Sequence, residues 1–203
     1  LYELDNYQGA RETLGRILQD SGEPQYRGGV PGDVRAQRAP RRLADIYRLE
    51  CDYEQAESLL TTLLNRFPND TNSWYTLGRV YLDSRQLGKL IGVIERLKTC
   101  PQGEVFAAVL ASMWHLNARE FDAARQAIER LIGLAPQMPM PRILRVEWLT
   151  QTAAPVADRI PACRDLLRVH PENREIQILL TSLEAANTQS AKIPLQTSCT
   201  SVV

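Results

Sequence analysis

The sequence has no excess of charge of either sign, because 24 Lys and Arg residues balance 24 Asp and Glu residues. Proteins that bind nucleic acid usually carry a marked basic excess, so we expect no nucleic-acid partner. No apolar run approaches the ~20 residues that a membrane-spanning helix needs, which predicts no membrane span. No signal peptide follows Leu1, and we expect a cytoplasmic location. The sequence also lacks an initiator Met, so we expect a fragment or a processed product of a longer protein.

Cysteine and histidine are scarce, with 4 Cys and 2 His in 203 residues. The cysteines are scattered and form no C-x-x-C pair, which matches neither a zinc site nor a disulfide-rich scaffold. Disulfides in a secreted chain are the alternative to thiols in a reducing compartment. We favour the second alternative and predict buried or half-buried free thiols at Cys51, Cys100, Cys163 and Cys199.

The motifs of common catalytic sites are absent, since the sequence contains no H-E-x-x-H, no Walker A loop and no G-x-S-x-G. The glycines of 28–32 follow no predicted strand, which argues against a phosphate-binding loop. We predict that His115 is a packing residue and that His170 caps a helix before Pro171. The sequence therefore predicts no catalytic residue, no metal and no cofactor, and so a chain that is not an enzyme.

A repeating pattern of helices fills most of the chain. The segment W-Y-T-L-G-R-V-Y places four residues at spacings of three and four on one helical stripe: Trp74, Leu77, Gly78 and Tyr81. Gly78 has no side chain, so a neighbouring helix can approach its backbone closely. Three of these slots keep their character 34 residues earlier, at Leu43, Ala44 and Tyr47. The next helices align at twice that spacing through the pairs Tyr53/Phe121, Ala56/Ala124, Leu60/Ile128, Leu63/Leu131 and Pro68/Pro136.

The period divides the chain into units. It predicts helices over residues 5–20, 36–50, 53–66, 71–84, 87–98, 103–117, 121–134, 138–151, 156–169 and 172–187. We interpret 1–187 as one helical repeat domain, with the second helix of a truncated repeat at 1–22, an insert loop at 23–36, repeats at 37–70, 71–104, 105–138 and 139–171, and a capping helix at 172–187. The fourth repeat is degenerate, because Arg142 and Arg145 replace the usual packing residues. The polar segment 188–203 is predicted to be a disordered tail.

These motifs resemble the tetratricopeptide repeat (TPR) superfamily over nearly the whole of residues 1–187. The resemblance implies an all-α fold, a right-handed α-solenoid of antiparallel helix pairs with a 34-residue period and a C-terminal capping helix. It also implies that the first helix of each pair lines a concave groove, and that the partner is a protein or peptide.

The residues expected to face this groove change from basic to apolar along the chain. They are Arg38, Arg41, Asp45 and Arg48, then Asn72, Tyr75, Arg79 and Leu82, then Phe106, Val109, Met113 and Leu116, and in the last unit Met140, Ile143, Glu147 and Thr150. This gradient predicts an acidic or carboxylate-bearing partner with an apolar anchor. In the alternative interpretation, the arginines pair within the chain and the apolar set packs against a neighbouring domain.

A narrower resemblance rests on Gly22-Glu23-Pro24 followed by Arg38 to Arg42. This layout is similar to the repeat region behind the catalytic domain of bacterial family 2 glycosyltransferases. It implies a nucleotide-sugar-binding domain upstream of Leu1 and an accessory, acceptor-positioning or oligomerisation role for this chain. The leading hypothesis is a protein-interaction scaffold, and the accessory role is the alternative.

Overall fold

The computed structural model describes residues 9, 12, 16 and 34–192, with side chains for 38–188 of the continuous part. Within these residues every regular element is a helix. The helices are α1 (Val34–Leu49), α2 (Tyr53–Arg66), α3 (Thr71–Asp83), α4 (Leu87–Lys98), α5 (Gly103–Asn117), α6 (Phe121–Leu134), α7 (Pro139–Gln151), α8 (Val156–Val169) and α9 (Arg174–Lys192). The predicted fold class, an all-α solenoid of helix pairs, is confirmed.

The predicted helix ends agree with the structure at both ends of α2, α4, α5, α6 and α8. The largest difference lies in α9, which continues to Lys192 through residues that we assigned to the tail. Thr188 Oγ1 donates to the Glu184 carbonyl at 2.8 Å, one turn earlier in the same helix. The predicted truncated repeat apart from residues 9, 12 and 16, most of the insert loop and the end of the tail lie outside the described residues, and the division into repeats stays a prediction.

The turn inside each helix pair has the same backbone conformation in all four pairs. The second residue after the first helix lies in the left-handed region, with φ of 63°, 58°, 59° and 50° at Cys51, Arg85, Arg119 and Ala153. The next N–H donates to a carbonyl five residues back at 2.8 to 2.9 Å. This arrangement is the Schellman helix end, which usually carries glycine. The positive φ therefore repeats every 34 residues, although none of the four residues is the glycine that would have indicated it in the sequence.

The repeat position of Gly78 is buried in the first helix of all four described pairs, where it holds Ala44, Gly78, Ser112 and Val146. We call it the small slot. A Cβ built on Gly78 overlaps the Leu110 side chain of α5 and lies 3.3 Å from Val93 of α4. The predicted close approach at Gly78 is therefore present.

The slot of Trp74 explains why the fourth repeat looks degenerate. Trp74 Nε1 donates to the Pro68 carbonyl at 2.8 Å. Arg142 holds the equivalent position in α7, and its Nη1 donates to the Pro136 carbonyl at 2.6 Å. In α9, Gln177 Nε2 makes the same bond to Pro171 at 2.5 Å. Trp, Arg and Gln thus make the same contact, because each is long and carries a donor at its end, whereas Pro40 and Ala108 hold this repeat position in α1 and α5 and have no such donor.

The helices belong to two compact units, and the chain passes from the first to the second within α5, between Ala111 and Ser112. In the first unit α1 packs on α2 and α3, α2 packs on α3, and α3 packs on α4. In the second unit α6 packs on α7, α7 on α8, and α8 on α9. Leu60, Leu90 and Leu97 are fully buried in the first unit, and Ile128, Leu131 and Leu166 are fully buried in the second.

None of the described helices has both the length and the apolar composition needed to span a bilayer.

Candidate functional site

Four of the residues predicted to face the groove are buried. Leu82 is 3% exposed, Val109 and Leu116 are each 1% exposed, and Arg48 is 8% exposed. The reason is clearest in α3, which is contacted by α1, α2 and α4 and so presents a narrower arc to solvent than a single apolar stripe suggests. These four side chains are not accessible to a partner in this conformation, so they are removed from the residues that could contact one.

The accessible members in the first unit form one surface, which we call the first-helix face. It comprises Arg38, Arg41 and Asp45 of α1, Asn72, Tyr75 and Arg79 of α3, and Phe106 of α5. Asp45 joins the first two helices, because Arg79 Nη1 lies 3.9 Å from its Oδ1. The rings of Tyr75 and Phe106 join the second and third, with centroids 5.0 Å apart and planes tilted by 44°. Met113 is half-buried in the second unit.

Charge on this face is more balanced than the sequence suggests. Arg48 Nη1 lies 2.5 Å from Asp83, and its Nε lies 3.3 Å from Asp45. Asp45 therefore serves two arginines, and the longer contact is the one to Arg79. This internal pairing agrees with part of our alternative interpretation of the arginines.

The Asp70 carboxylate holds the start of α3 and neutralises a second arginine. Its Oδ1 accepts from the Asn72 N–H at 3.2 Å, its Oδ2 accepts from the Ser73 hydroxyl at 2.5 Å, and Arg41 Nη1 lies 3.7 Å away. Arg38 is exposed and makes no ion pair with any described residue. The positive charge that remains available on this face is thus concentrated at Arg38.

Tyr75 of the first-helix face is half-buried. Burial raises the pKa of its phenol, and the nearby charges of Arg79 and Arg48 act in the opposite direction. The aromatic pair that it forms with Phe106 is half-buried, so part of its ring surface is exposed to solvent.

Neither of the two histidines lies on the first-helix face. His115 lies in the last turn of helix α5, is half-buried, and its Nδ1 is 2.7 Å from Glu120 Oε2 in the turn that follows. His170 is the C-cap of α8, as predicted, and its backbone N–H donates to the Leu166 carbonyl. In the described part of the chain, no group of three or more His, Cys, Asp or Glu residues has the geometry to hold a metal ion.

The cysteines behave only partly as predicted. Cys100 and Cys163 are buried free thiols, and burial raises the pKa of Cys163. Cys51 is exposed, contrary to our prediction, and it is the left-handed residue of the turn between α1 and α2. Cys199 lies outside the described residues.

One polar cluster was missed by the sequence reasoning. Glu57 of α2 accepts hydrogen bonds from Tyr81 Oη at 2.9 Å and from Lys89 Nζ at 2.6 Å. Burial alone raises the pKa of Glu57, but the bonds from Lys89 and Tyr81 and the Lys89 charge outweigh it and lower the pKa. Burial and then Glu57 raise the pKa of Tyr81 well above its usual range. The sequence did contain a signal for this cluster, because Tyr81 holds a packing position of the repeat and a buried tyrosine hydroxyl needs a polar partner.

The helix pairs, the repeated turn and the regular spacing of slots within this chain define a helical repeat fold of TPR type. Among solved structures, the chain is similar to TTC0263, a thermophilic TPR protein of Thermus thermophilus, with 17% identity and a TM-score of 0.65, over 91% of this chain and 94% of that chain. Identity at this level shows the fold alone. No protein-family model matches the sequence, and no curated protein matches it.

Proposed function

We propose that the chain is a non-catalytic scaffold that binds a peptide or a segment of a partner protein on the first-helix face. The observation that carries the proposal is the half-buried pair of Tyr75 and Phe106, whose ring centroids lie 5.0 Å apart beside Arg79. Aromatic and arginine side chains are enriched at the energetic centres of protein interfaces. The pair offers an apolar anchor site with cationic groups at its border.

The charge pattern defines the partner more narrowly than the sequence did. Arg41 and Arg79 each lie near a carboxylate, whereas Arg38 makes no ion pair with the described residues. We therefore expect a partner with a few carboxylates near an apolar side chain, because a long acidic run would meet Asp45 as well. The pairing to Arg79 spans 3.9 Å, so a ligand carboxylate competes for it at small cost.

Site-specific photo-crosslinking tests the proposal in the full chain. A photo-crosslinking amino acid at Asn72, which is exposed on the face, should give discrete adducts in lysate from the source cells. The charge reversal Arg38→Glu should remove these adducts, with circular dichroism showing an intact fold. Arg38 is preferred to Arg41 for this reversal, because a carboxylate at position 41 would be placed beside Asp70 and would disturb α3.

The matched control places the same crosslinker at Arg125, which is exposed on the second helix α6. Adducts that are identical at both positions, or that persist in the Arg38→Glu chain, would contradict binding on the first-helix face.

A second candidate is an accessory or oligomerisation domain of a larger bacterial glycosyltransferase. It is supported by the Gly22-Glu23-Pro24 insert and the arginines of 38–42, and it carries the expectations of a cytoplasmic location and of a further domain. The natural coding sequence upstream of Leu1 is the direct test. A strand-rich domain with a D-x-D motif would support this candidate, and further helical repeats would exclude it.

A further inference from the structure

A cleft of about 570 Å³ opens at the edge of the first unit, between two successive turns that join one helix pair to the next. We call it the edge cleft. Thr71 Oγ1 donates to the Pro101 carbonyl at 2.9 Å and holds the two turns together. The residues that matter for its chemistry are Arg66, Phe67, Pro68, Asn72, Gln102 and Phe106. Because Asn72 and Phe106 also belong to the first-helix face, the cleft is continuous with that face.

The electrostatics of the edge cleft favour an anion. Its carboxylate, Asp70, is already occupied by Ser73, the Asn72 N–H and Arg41. Arg66 is exposed and makes no ion pair with the described residues. Among the described residues that line the cleft, Arg66 is thus without an ion-pair partner, and the carboxylate of Asp70 already has its partners.

A second cation lies at the outer border of the cleft. Arg96 Nη2 donates to the Pro68 carbonyl at 3.2 Å and to Asn69 Oδ1 at 3.3 Å, and both acceptors are neutral. Its guanidinium also lies 5.9 Å from the centre of the Trp74 ring. These contacts fix the position of the guanidinium without neutralising it, so its charge adds to that of Arg66.

The remaining walls are apolar. Phe67 and Phe106 are half-buried, and Pro68 and Pro101 contribute ring surface at the two turns. A volume of about 570 Å³ exceeds one side chain and lies within the range of small-ligand sites. The site thus combines Arg66 in the cleft and Arg96 beside it, neither with an ion-pair partner among the described residues, with an aromatic wall whose Phe106 also pairs with Tyr75 on the first-helix face.

From this combination we infer that the edge cleft binds an acidic side chain of the partner, together with the apolar residue next to it. The carboxylate contacts Arg66 and is attracted by Arg96, and the apolar side chain packs on Phe67 and Phe106. This inference rests on the proposed function, since the rest of the same peptide lies along the first-helix face. It adds that the partner is anchored at the inter-repeat turns as well as on the helices.

Blocked synthetic peptides labelled with a fluorophore test the inference with the full chain, by fluorescence anisotropy. Two probes carry Glu-Glu-Leu-Phe and Leu-Phe-Glu-Glu between Gly-Ser flanks, and the controls replace Glu-Glu by Gln-Gln or Leu-Phe by Ala-Ala. At least one acidic probe should bind, and both of its controls should bind about tenfold more weakly. Arg66→Gln should weaken the acidic probe about threefold to fivefold, the range of one exposed ion pair. Added salt should reduce this difference.

Matched variants separate the inference from the proposed function. Arg125→Gln, which removes an exposed charge from α6, should leave binding unchanged. If Arg79→Gln weakens the probe and Arg66→Gln does not, the edge cleft is excluded and the first-helix face stands. If only Arg66→Gln weakens it, the cleft binds the peptide and the first-helix face is excluded. If neither acidic probe binds, or if the Gln-Gln control binds as tightly, the inference is wrong.

Discussion

In α3 the side chain that reaches back to the preceding proline is Trp74, and in α7 it is Arg142. Trp74 makes one hydrogen bond, and the Arg96 guanidinium lies over its ring. Arg142 is only 12% exposed and needs Asp165 at 2.9 Å to compensate its charge. The comparison teaches that side chains as different as Trp and Arg can make the same contact, because both are long and carry a donor at the end. A repeat that deviates from the usual residues can therefore keep the contact that those residues make.

The largest expected effect concerns the small slot one turn further along the same two helices. α7 holds Val146 there, 6% exposed, whereas α3 holds Gly78 against Leu110. Gly78→Val should lower the free energy of unfolding by about 3 kcal/mol, because the added carbons overpack the contact with α5. Denaturation by urea measures the change. The same substitution at Gly92, where a Cβ meets nothing within 4 Å, is the control and should change stability little. Equal effects at the two glycines would refute the packing explanation.

A second prediction tests the slot of Arg142 directly. Arg142→Ala removes the donor to Pro136 and leaves Asp165 without its cation, so stability should fall by about 2 kcal/mol. Arg145 serves as the control, because it is 41% exposed and lies 3.6 Å from Glu129. Arg145→Ala should cost less than about 0.5 kcal/mol. A loss at position 145 as large as that at 142 would show that the charge alone matters.

The turns after α3 and α7 have the same backbone conformation, and substitutions there should raise stability by a smaller amount. Arg85 follows α3 and Ala153 follows α7, and both have positive φ without being glycine. Arg85→Gly and Ala153→Gly should each raise the free energy of unfolding by about 1 kcal/mol, since glycine adopts this conformation without steric cost. The midpoint of thermal unfolding should rise in both variants. Arg125→Gly, within helix α6, should instead lower stability by about 1 kcal/mol. A gain at only one turn would mean that the two turns differ in strain.

The smallest effect is a pH dependence that Glu57 of α2 contributes in the first unit, whereas Arg125 holds the equivalent position in the second unit. The folded pKa of Glu57 lies below its unfolded value of about 4.3. The ionised carboxylate therefore stabilises the fold above about pH 4.3, and this contribution is lost as the pH falls through the folded pKa. Glu57→Gln should make the urea midpoint less dependent on pH between about 5 and 3. An unchanged pH dependence would contradict a stabilising role for the Lys89 and Tyr81 contacts.

The sequence predicted the helices well because each carries its own amphipathic period and its own end signals. Asp52 and Asp70 precede helices as N-caps, and Pro68 and Pro136 follow the ends of second helices. The candidate site was predicted less well, because a period of 3.6 residues shows which side chains share a face but not how many neighbours cover it. Leu82 and Val109 share the face of Tyr75 by spacing, yet they are buried by adjacent helices. The edge cleft has no sequence signal of its own, since it arises where 66–72 meets 101–106.

By itself, the sequence determined the class of fold, the order of the helices and the close approach at Gly78, because these follow from local periodicity and side-chain size. Only the tertiary structure decided which charges remain available. Asp70, Asp83 and Asp45 reach Arg41, Arg48 and Arg79 across helices or turns, and these distances depend on packing that a single sequence does not encode locally. The same packing left Arg38 and Arg66 without ion-pair partners among the described residues, and the proposals for binding rest on that difference.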